Sequence, residues 1–326
     1  MKQYDNLVII SSRVRLARNI CGYNFPAKLS IEDAKSVISK VFDILNKFEN
    51  YKITDLHKTI LYSLKEKHLI SQNLIDSNEK GALSLSADEK ICVMINEEEH
   101  LRLQCILKGY NLNYALVKLN EVDDLLLENL PICFNEDFGF LTTCPSNLGT
   151  GMRASVMLYL PALSLLGNLQ NIIVSLQKQG ITVRGSFGEG TNADGFMFQV
   201  SNSQTLGLTE DEIITNVSKA VESLCEKELS ARQKLLEAKK DELLDLTKRA
   251  YGILKYCHKI DSQEATKLLS QLRLGICLNL VDYVKLEVID TLLEEILPNT
   301  LLNVSGEDLT EKQLDVFRAS YISKNI

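Results

Sequence analysis

Six arginines stand in the first 208 residues, Arg13, Arg15, Arg18, Arg102, Arg153 and Arg184, against fourteen lysines. Lysine would serve solubility equally well, so arginine is used selectively here, and its planar fork suits phosphate and carboxylate groups. Arg13, Arg15, Arg102, Arg153 and Arg184 each fall at an expected strand end or loop beside glycines or carboxylates. Five guanidinium groups converging on one place repel one another unless a polyanion joins them. A nucleoside triphosphate with Mg²⁺ is such a polyanion, and its chemistry is phosphoryl transfer by positioning and charge stabilisation. No G-x-x-x-x-G-K-[ST] loop and no H-R-D or D-F-G set occurs, which excludes the common nucleotide-binding and kinase folds as far as motifs can.

The chain is organised around Cys144-Pro-Ser-Asn-Leu-Gly-Thr-Gly-Met-Arg-Ala-Ser-Val-Met157. Its glycines and Pro145 predict a turn between a strand at Gly139–Thr143 and an apolar helix at Arg153–Leu166. The free N–H groups of that helix start, with Arg153 in its first turn, would form an anion site; the plainer alternative is an ordinary turn. Asn96-Glu97-Glu98-Glu99-His100-Leu101-Arg102 sets three carboxylates between two strands, either as a solvated loop or as a cluster that binds a cation, directly or through water on Mg²⁺. Ser186-Phe187-Gly188-Glu189-Gly190-Thr191 is a glycine-rich loop with one carboxylate. His68, after an apolar run, reads alone as a packed histidine more readily than as a ligand.

Positioning these groups requires strands. Leu7–Ile10 begins one that delivers Ser11–Asn19, and alternation puts Arg13 and Arg15 on one face. Strands are also predicted at Ile91–Ile95, from Leu101 to Leu107, at Ile181–Gly185 and at Gly195–Val200, and helices at Ser30–Phe48 and Leu112–Leu127. The fold class is α+β: a mixed or antiparallel sheet flanked by helices over residues 1–208, followed by an all-helical region, 209–326. That region opens on the capping box Thr209-x-x-Glu212, has a helix stopped by Pro298 and ends on a helix capped by Thr310-x-x-Gln313. It is expected to mediate dimerisation or partner docking.

Composition narrows the classes further. A net charge of −7 disfavours generic nucleic-acid or anionic-membrane binding. No secretory leader pattern or apolar run of transmembrane length appears. Eight cysteines without a C-x-x-C pair, and only four histidines, argue against a zinc site and for reduced core cysteines in a cytoplasmic protein.

Four segments in order, Ser11–Asn19, Asn96–Arg102, Cys144–Met157 and Val183–Thr191, resemble the catalytic domain of the phosphagen (guanidino) kinases over roughly residues 7–208. The chain begins almost at its S-S-R-V-R motif, without the small helical N-terminal domain of the metabolite kinases, and carries a helical extension instead. That arrangement is similar to the bacterial McsB-type protein-arginine kinases. The resemblance implies ATP and Mg²⁺ as cofactors and arginine side chains of proteins as acceptors, with activator and protease machinery as partners in stress response or proteolytic quality control. It implies that Arg13, Arg15, Arg102, Arg153 and Arg184 clamp the phosphates. Ser11, Ser12, Arg13, Val14 and Arg15, Arg153, Ala154, Ser155, Val156 and Met157, and Arg184, Gly185, Ser186, Phe187, Gly188 and Glu189 would line the nucleotide, with His68 near adenine and ribose. Glu98 would hold the guanidinium and take its proton, Glu189 would be the second carboxylate, and Cys144 would contact the guanidinium. No protein ligand to the metal is implied beyond water that Glu97 and Glu99 could hold.

Two positions depart from the family pattern. Met157 stands where the metabolite kinases carry His. Leu314-Asp315-Val316-Phe317-Arg318-Ala319 stands where the protein-arginine branch often has Arg-Asp-x-x-Arg-Ala, which senses phosphoarginine; a leucine cannot hold a phosphate. Two other functions remain open: a kinase for a free guanidino metabolite, and a catalytically weak adaptor that binds ATP or phosphoarginine proteins.

Overall fold

Polar and apolar residues alternate from Ile9 to Arg18 and form strand β1 (Ile9–Arg18), with Val14 and Leu16 buried and Arg13 and Arg15 half-buried. The computed structural model describes residues 1–185 and 194–326. In it β1 lies inside an antiparallel sheet with β2 (Glu49–Lys52), β3 (Ala82–Leu85), β4 (Ile91–Ile95), β5 (Leu101–Lys108), β8 (Met152–Tyr159), β9 (Ile181–Gly185) and β10 (Met197–Asn202), in the order β2-β3-β4-β5-β1-β8-β10-β9. A separate hairpin pairs β6 (Phe134–Asn135) with β7 (Gly139–Phe140).

The register settles which side chains share a face. Arg15 lies opposite Arg153 on β8 and Gln104 on β5, and Ala17 lies opposite Arg102. Met157 is opposite Gln199, which is opposite Arg184. Directly opposed residues point to the same side, so all five arginines project from one face. Val14, Leu16, Cys105, Ala154, Val156 and Leu158 fill the other, buried with α4 (Leu112–Asn129) and the first half of α7 (Glu210–Tyr256) in one core. That core also takes in α1 (Ile31–Ile44), α5 (Pro161–Leu165) and α6 (Leu169–Gln177). On the arginine face, α2 (Lys58–Glu66) and α3 (Gln72–Asp76) cover β3 and β4 through Leu61, Leu64, Leu74, Leu83 and Met94. Over β1 and β8 the arginines stay partly open to solvent.

Local signals account for the helix ends. Ser30 caps α1 by accepting from Asp33 N–H at 3.0 Å, and Thr209 and Glu212 form the expected capping box of α7. That helix is interrupted at Lys239, whose backbone is non-helical. Beyond it, α8 (Ser262–Cys277), α9 (Leu286–Glu295) and α11 (Glu311–Asn325) build a second core around Leu254, Leu269, Leu272, Ile289 and Ile322, while α10 (Pro298–Ser305) packs against α2. Pro298 stands at the first position of α10 rather than ending a helix, a place that needs no N–H donor.

The helix expected at Arg153–Leu166 is not formed. Met152–Tyr159 is a strand, and the helical turn that follows is the separate α5, which starts at Pro161. A short apolar run does not distinguish a buried strand from a helix, but a proline inside the expected helix marks a break. The cysteines also depart in part from expectation. Cys92, Cys105 and Cys225 are buried free thiols, whereas Cys21 and Cys133 form a disulfide where the bridge between Ile20 and Ile132 brings their Cα atoms to 5.1 Å.

Arg18, alone of the first six arginines, points into the core. It donates to Asp123 of α4 at 2.7 Å and packs against the Phe140 ring at 3.5 Å. Removing one member of a buried ion pair strands the other charge, which costs about 3–5 kcal/mol. Arg18→Ala is therefore expected to lower unfolding free energy by about that amount in urea titration, and Arg18→Met with Asp123→Leu to recover most of it.

Candidate active site

The arginine face is short of negative charge. Arg102 donates to both carboxylate oxygens of Glu97 at 2.7 Å. Among the described residues, Arg153 reaches only the hydroxyl of Ser201, at 2.9 Å. The Nε atoms of Arg15 and Arg153 are buried and have no hydrogen-bond partner among the described residues. Desolvation and the charges of Arg102 and Arg153 bring Arg13 down to about 10. Burial, then Arg13, Arg102 and Arg153, pulls Arg15 well below its ordinary value against the opposing pull of Glu97. Arg153 is lowered by burial, Arg184 and Arg102. Each direction marks a site that gains when an anion arrives. The two orphaned Nε donors mark where its oxygens fit.

The three carboxylates between β4 and β5 take three courses. Burial works to raise Glu97, but the charge and hydrogen bonds of Arg102 and the hydroxyl of Ser71 overcome it, leaving its carboxyl below the ordinary value. Glu99 is fully buried. It accepts from Asn19 Nδ2 at 2.6 Å and Thr143 N–H at 2.7 Å on Oε2, and from Asn147 Nδ2 at 3.1 Å and Cys144 N–H at 3.3 Å on Oε1. Glu97 is thus paired with Arg102 and Ser71, and Glu99 with Asn19 and the Cys144 loop. Glu98 is half-buried, and among the described residues its carboxylate is left without an ionic partner. Among those residues no three His, Cys, Asp or Glu side chains form a metal site.

Cys144 lies on a loop drawn against the sheet end by two glycines. A Cβ at Gly149 would meet Thr205 O at 2.6 Å, and one at Gly151 would meet Ala17 O at 2.6 Å; both glycines have positive φ. The Cys144 Sγ is half-buried and 3.0 Å from the hydroxyl of Ser146. The loop thus runs into a strand that presents Arg153 beside Arg15. The positive charge expected at a helix start is carried instead by side chains across a sheet.

His68, in the loop after α2, is exposed to solvent at its surface yet crowded by the surrounding protein. Desolvation and the charge of Arg13 lower it to about 4. Gln104, on the arginine face, holds its loop by donating to His68 O at 2.9 Å and Leu69 O at 2.6 Å. Ser11, Ser12, Val14, Ala154, Ser155, Val156 and Met157 lie along β1 and β8 around the arginines. Val14, Ala154 and Val156 point to the core, so only their backbone is available to a ligand. Arg184 and Gly185 end β9. Ser186, Phe187, Gly188 and Glu189 lie outside the described residues. Asn19, Asn147, Gln104 and Ser201, which hold these groups in place, carry no signal in a single sequence beyond standing next to residues already singled out. In the C-terminal region, Arg318 is buried and donates to Ile296 O, Ile260 O and Asp315, so this cation belongs to the fold.

Comparison with known proteins agrees with the arrangement. Residues 30–231 match the model of the ATP:guanido phosphotransferase C-terminal catalytic domain, and 240–326 that of the protein-arginine kinase McsB C-terminal domain. Among curated relatives, the protein-arginine kinase of Clostridium tetani is 39% identical across 98% of this chain and 95% of its own. That of Desulforamulus reducens is 42% identical across 99% and 93%. Among solved structures, the duplicated taurocyamine kinase of Schistosoma mansoni with bound transition-state-analogue components superposes with a TM-score of 0.63 at 29% identity, covering 75% of this chain and 38% of that one. A lombricine kinase superposes with a TM-score of 0.61 at 25% identity, covering 73% and 69%. A sheet face of unneutralised arginines, bordered by a carboxylate turn and a cysteine loop, is thus found in a chain that belongs to the ATP:guanido phosphotransferase family.

Proposed function

We propose that this chain transfers the γ-phosphoryl group of ATP to arginine side chains of proteins. The observation that carries the proposal is the set of Arg13, Arg15, Arg102, Arg153 and Arg184 on one sheet face with a single described counter-charge, Glu97. The choice of a protein acceptor is supported by relatives named protein-arginine kinase that match at about 40% identity along nearly their whole length, C-terminal helices included. The free-metabolite reading has support only from the more distant solved structures.

In this reading the five arginines hold the triphosphate, and the orphaned Nε donors of Arg15 and Arg153 find their acceptors there. Mg²⁺ would reach the protein through the phosphates, neutralising charge that the arginines leave. A guanidinium is protonated at any ordinary pH and is a poor nucleophile. Glu98, uncommitted among the described residues, pairs with it and orients one nitrogen. As the N–P bond forms and the bond from phosphorus to the ADP oxygen breaks, Glu98 takes the proton that nitrogen loses. Glu189 is proposed as the second carboxylate, and Cys144, beside the hydroxyl of Ser146, as a further contact to the guanidinium. His68, neutral at pH 7, adds no charge to the cluster. Cytoplasmic location, a homodimer, an activator protein and delivery of marked proteins to proteolysis are parts of the same proposal that rest on family resemblance. No described helix is long and apolar enough to cross a membrane.

Two outcomes test the assignment. Glu98→Gln is expected to lower kcat for protein-arginine phosphorylation about 10²–10⁴-fold, the usual worth of a positioned base, with ATP affinity held within about threefold in calorimetry. Retained turnover would remove Glu98 from the role. For His68, desolvation by its crowded surroundings and the charge of Arg13 favour the neutral form, so its protonation lies near 4 rather than 6.5. The kcat/KM for ATP should then show no step at pH 6.5. A gain in ATP affinity on acidifying through that pH, absent in His68→Gln, would show a charged His68 instead.

A further inference from the structure

We propose that Glu99, acting through Asn19 and Asn147, is the positioning residue that keeps the guanidinium-binding side of the site in register with the phosphate-binding side; this rests on the function proposed above. Glu99 is fully buried and, among the described residues, has no cation partner. An ionised carboxylate in such a place must have its lone pairs met by donors. Here four neutral N–H groups meet them, and they come from two separate segments of chain. Asn19 follows β1, the strand of Arg13 and Arg15. Thr143, Cys144 and Asn147 belong to the cysteine loop. Glu99 itself supplies the third segment, since it is the chain neighbour of Glu98.

The bonds around this carboxylate leave little freedom. Asn19 also accepts from His100 N–H at 2.9 Å and donates to Leu141 O at 3.1 Å, and its own carbonyl accepts from Cys133 N–H at 2.8 Å. His100 in turn accepts from Ile20 N–H at 3.1 Å through Nδ1, and its Nε2 lies 2.9 Å from Asn24 O. Both ends of the Glu97–Glu98–Glu99 run are therefore pinned, Glu97 to Arg102 and Glu99 to Asn19 and the cysteine loop. Glu98 stands between two fixed neighbours. Its distance to Cys144 is set by Glu99, which holds the Cys144 N–H directly. Misplacement of reacting groups by about 1 Å costs on the order of 10²-fold in rate, so this carboxylate acts on catalysis without touching a substrate.

Two variants test the proposal. Asn147 is half-buried and among the described residues its side chain bonds only to Glu99 Oε1, so Asn147→Ala should fold, with its urea midpoint lowered only by the loss of one of the four donors to Glu99. Glu99→Gln replaces two acceptors with one acceptor and a donor aimed at N–H groups. For each, the Mg-ATP reaction with an unfolded arginine-containing protein is followed together with alkylation of Cys144 by iodoacetamide across pH, located by peptide mapping. The expected result is a fall in kcat and a rise in KM for the acceptor that together reach about 10²-fold in Glu99→Gln and about tenfold in Asn147→Ala. The KM for ATP should stay within about twofold, and the pH profile of Cys144 alkylation should shift. Equal losses toward ATP and acceptor that track the urea midpoint, with Cys144 alkylation unchanged, would make Glu99 a structural residue only and overturn the proposal. If the unaltered protein phosphorylates no arginine, the proposed function fails, and the Cys144 profile still decides whether Glu99 positions the loop.

Discussion

Mutual repulsion among guanidinium groups is the constraint around which this fold is arranged. Arg15 and Arg153 stand directly opposite each other on adjacent central strands, an arrangement that destabilises a sheet unless something else holds it. The chain uses arginine in two ways. Arg18, Arg232, Arg273 and Arg318 are buried and each pairs with a carboxylate, Asp123, Glu228, Asp290 and Asp315 respectively. Arg13, Arg15 and Arg153 have no described carboxylate partner and lie among Gln104, Ser155 and Ser201, neutral groups that neither quench nor add charge. The first use builds structure. The second leaves electrostatic energy in the unliganded protein that only an anion relieves.

The C-terminal helices brace that arrangement. Glu228 of α7 caps α5 by accepting from Ala162 and Leu163 N–H, and Arg232 donates to Leu7 O and Tyr159 O. Arg273 of α8 packs against the Tyr159 ring at 4.3 Å, while the Tyr159 hydroxyl donates to Ser270 O at 2.6 Å. The end of the β1–β8 pair where Leu7 and Tyr159 meet is thus tied to residues beyond 220. On the other flank Glu66 of α2 accepts from the N–H groups of Asn299 and Thr300 and caps α10, joining the helical region to the segment that leads to His68. The first half of α7 belongs to the core under the sheet, and the kink at Lys239 precedes the second core.

Much of this was legible from residue pattern, and what was not has a physical cause. The strands at Ile91–Ile95 and Ile181–Gly185 and both capping boxes follow from alternation and from short-range donor–acceptor geometry. Convergence of the arginines was inferable from charge, but their common face depends on registers between strands far apart in sequence. The run after Gly151 was read as helix because its apolar residues satisfy either period; Pro161 held the contrary signal. The three glutamates look equivalent as a row of charges. Their separate fates depend on Arg102, on Asn19 and on a loop some fifty residues away, and a turn has no period from which such directions can be read.

The place of β1 has a consequence for how the chain is made. β1 leaves the ribosome before either strand it pairs with, and it is a central one: Ser11 pairs with Lys108 on one side and Met157 on the other. Until β5 and β8 are synthesised, β1 has two unpaired edges and an apolar face of Val14 and Leu16. Pairings of such long sequence separation close late, and exposed edges invite association between chains. Charged residues on an unpaired strand oppose that association. Arg13 and Arg15, repelling one another within the finished sheet, also repel the same strand of a neighbouring nascent chain, so the charges of the site protect the strand that bears them before it has its neighbours.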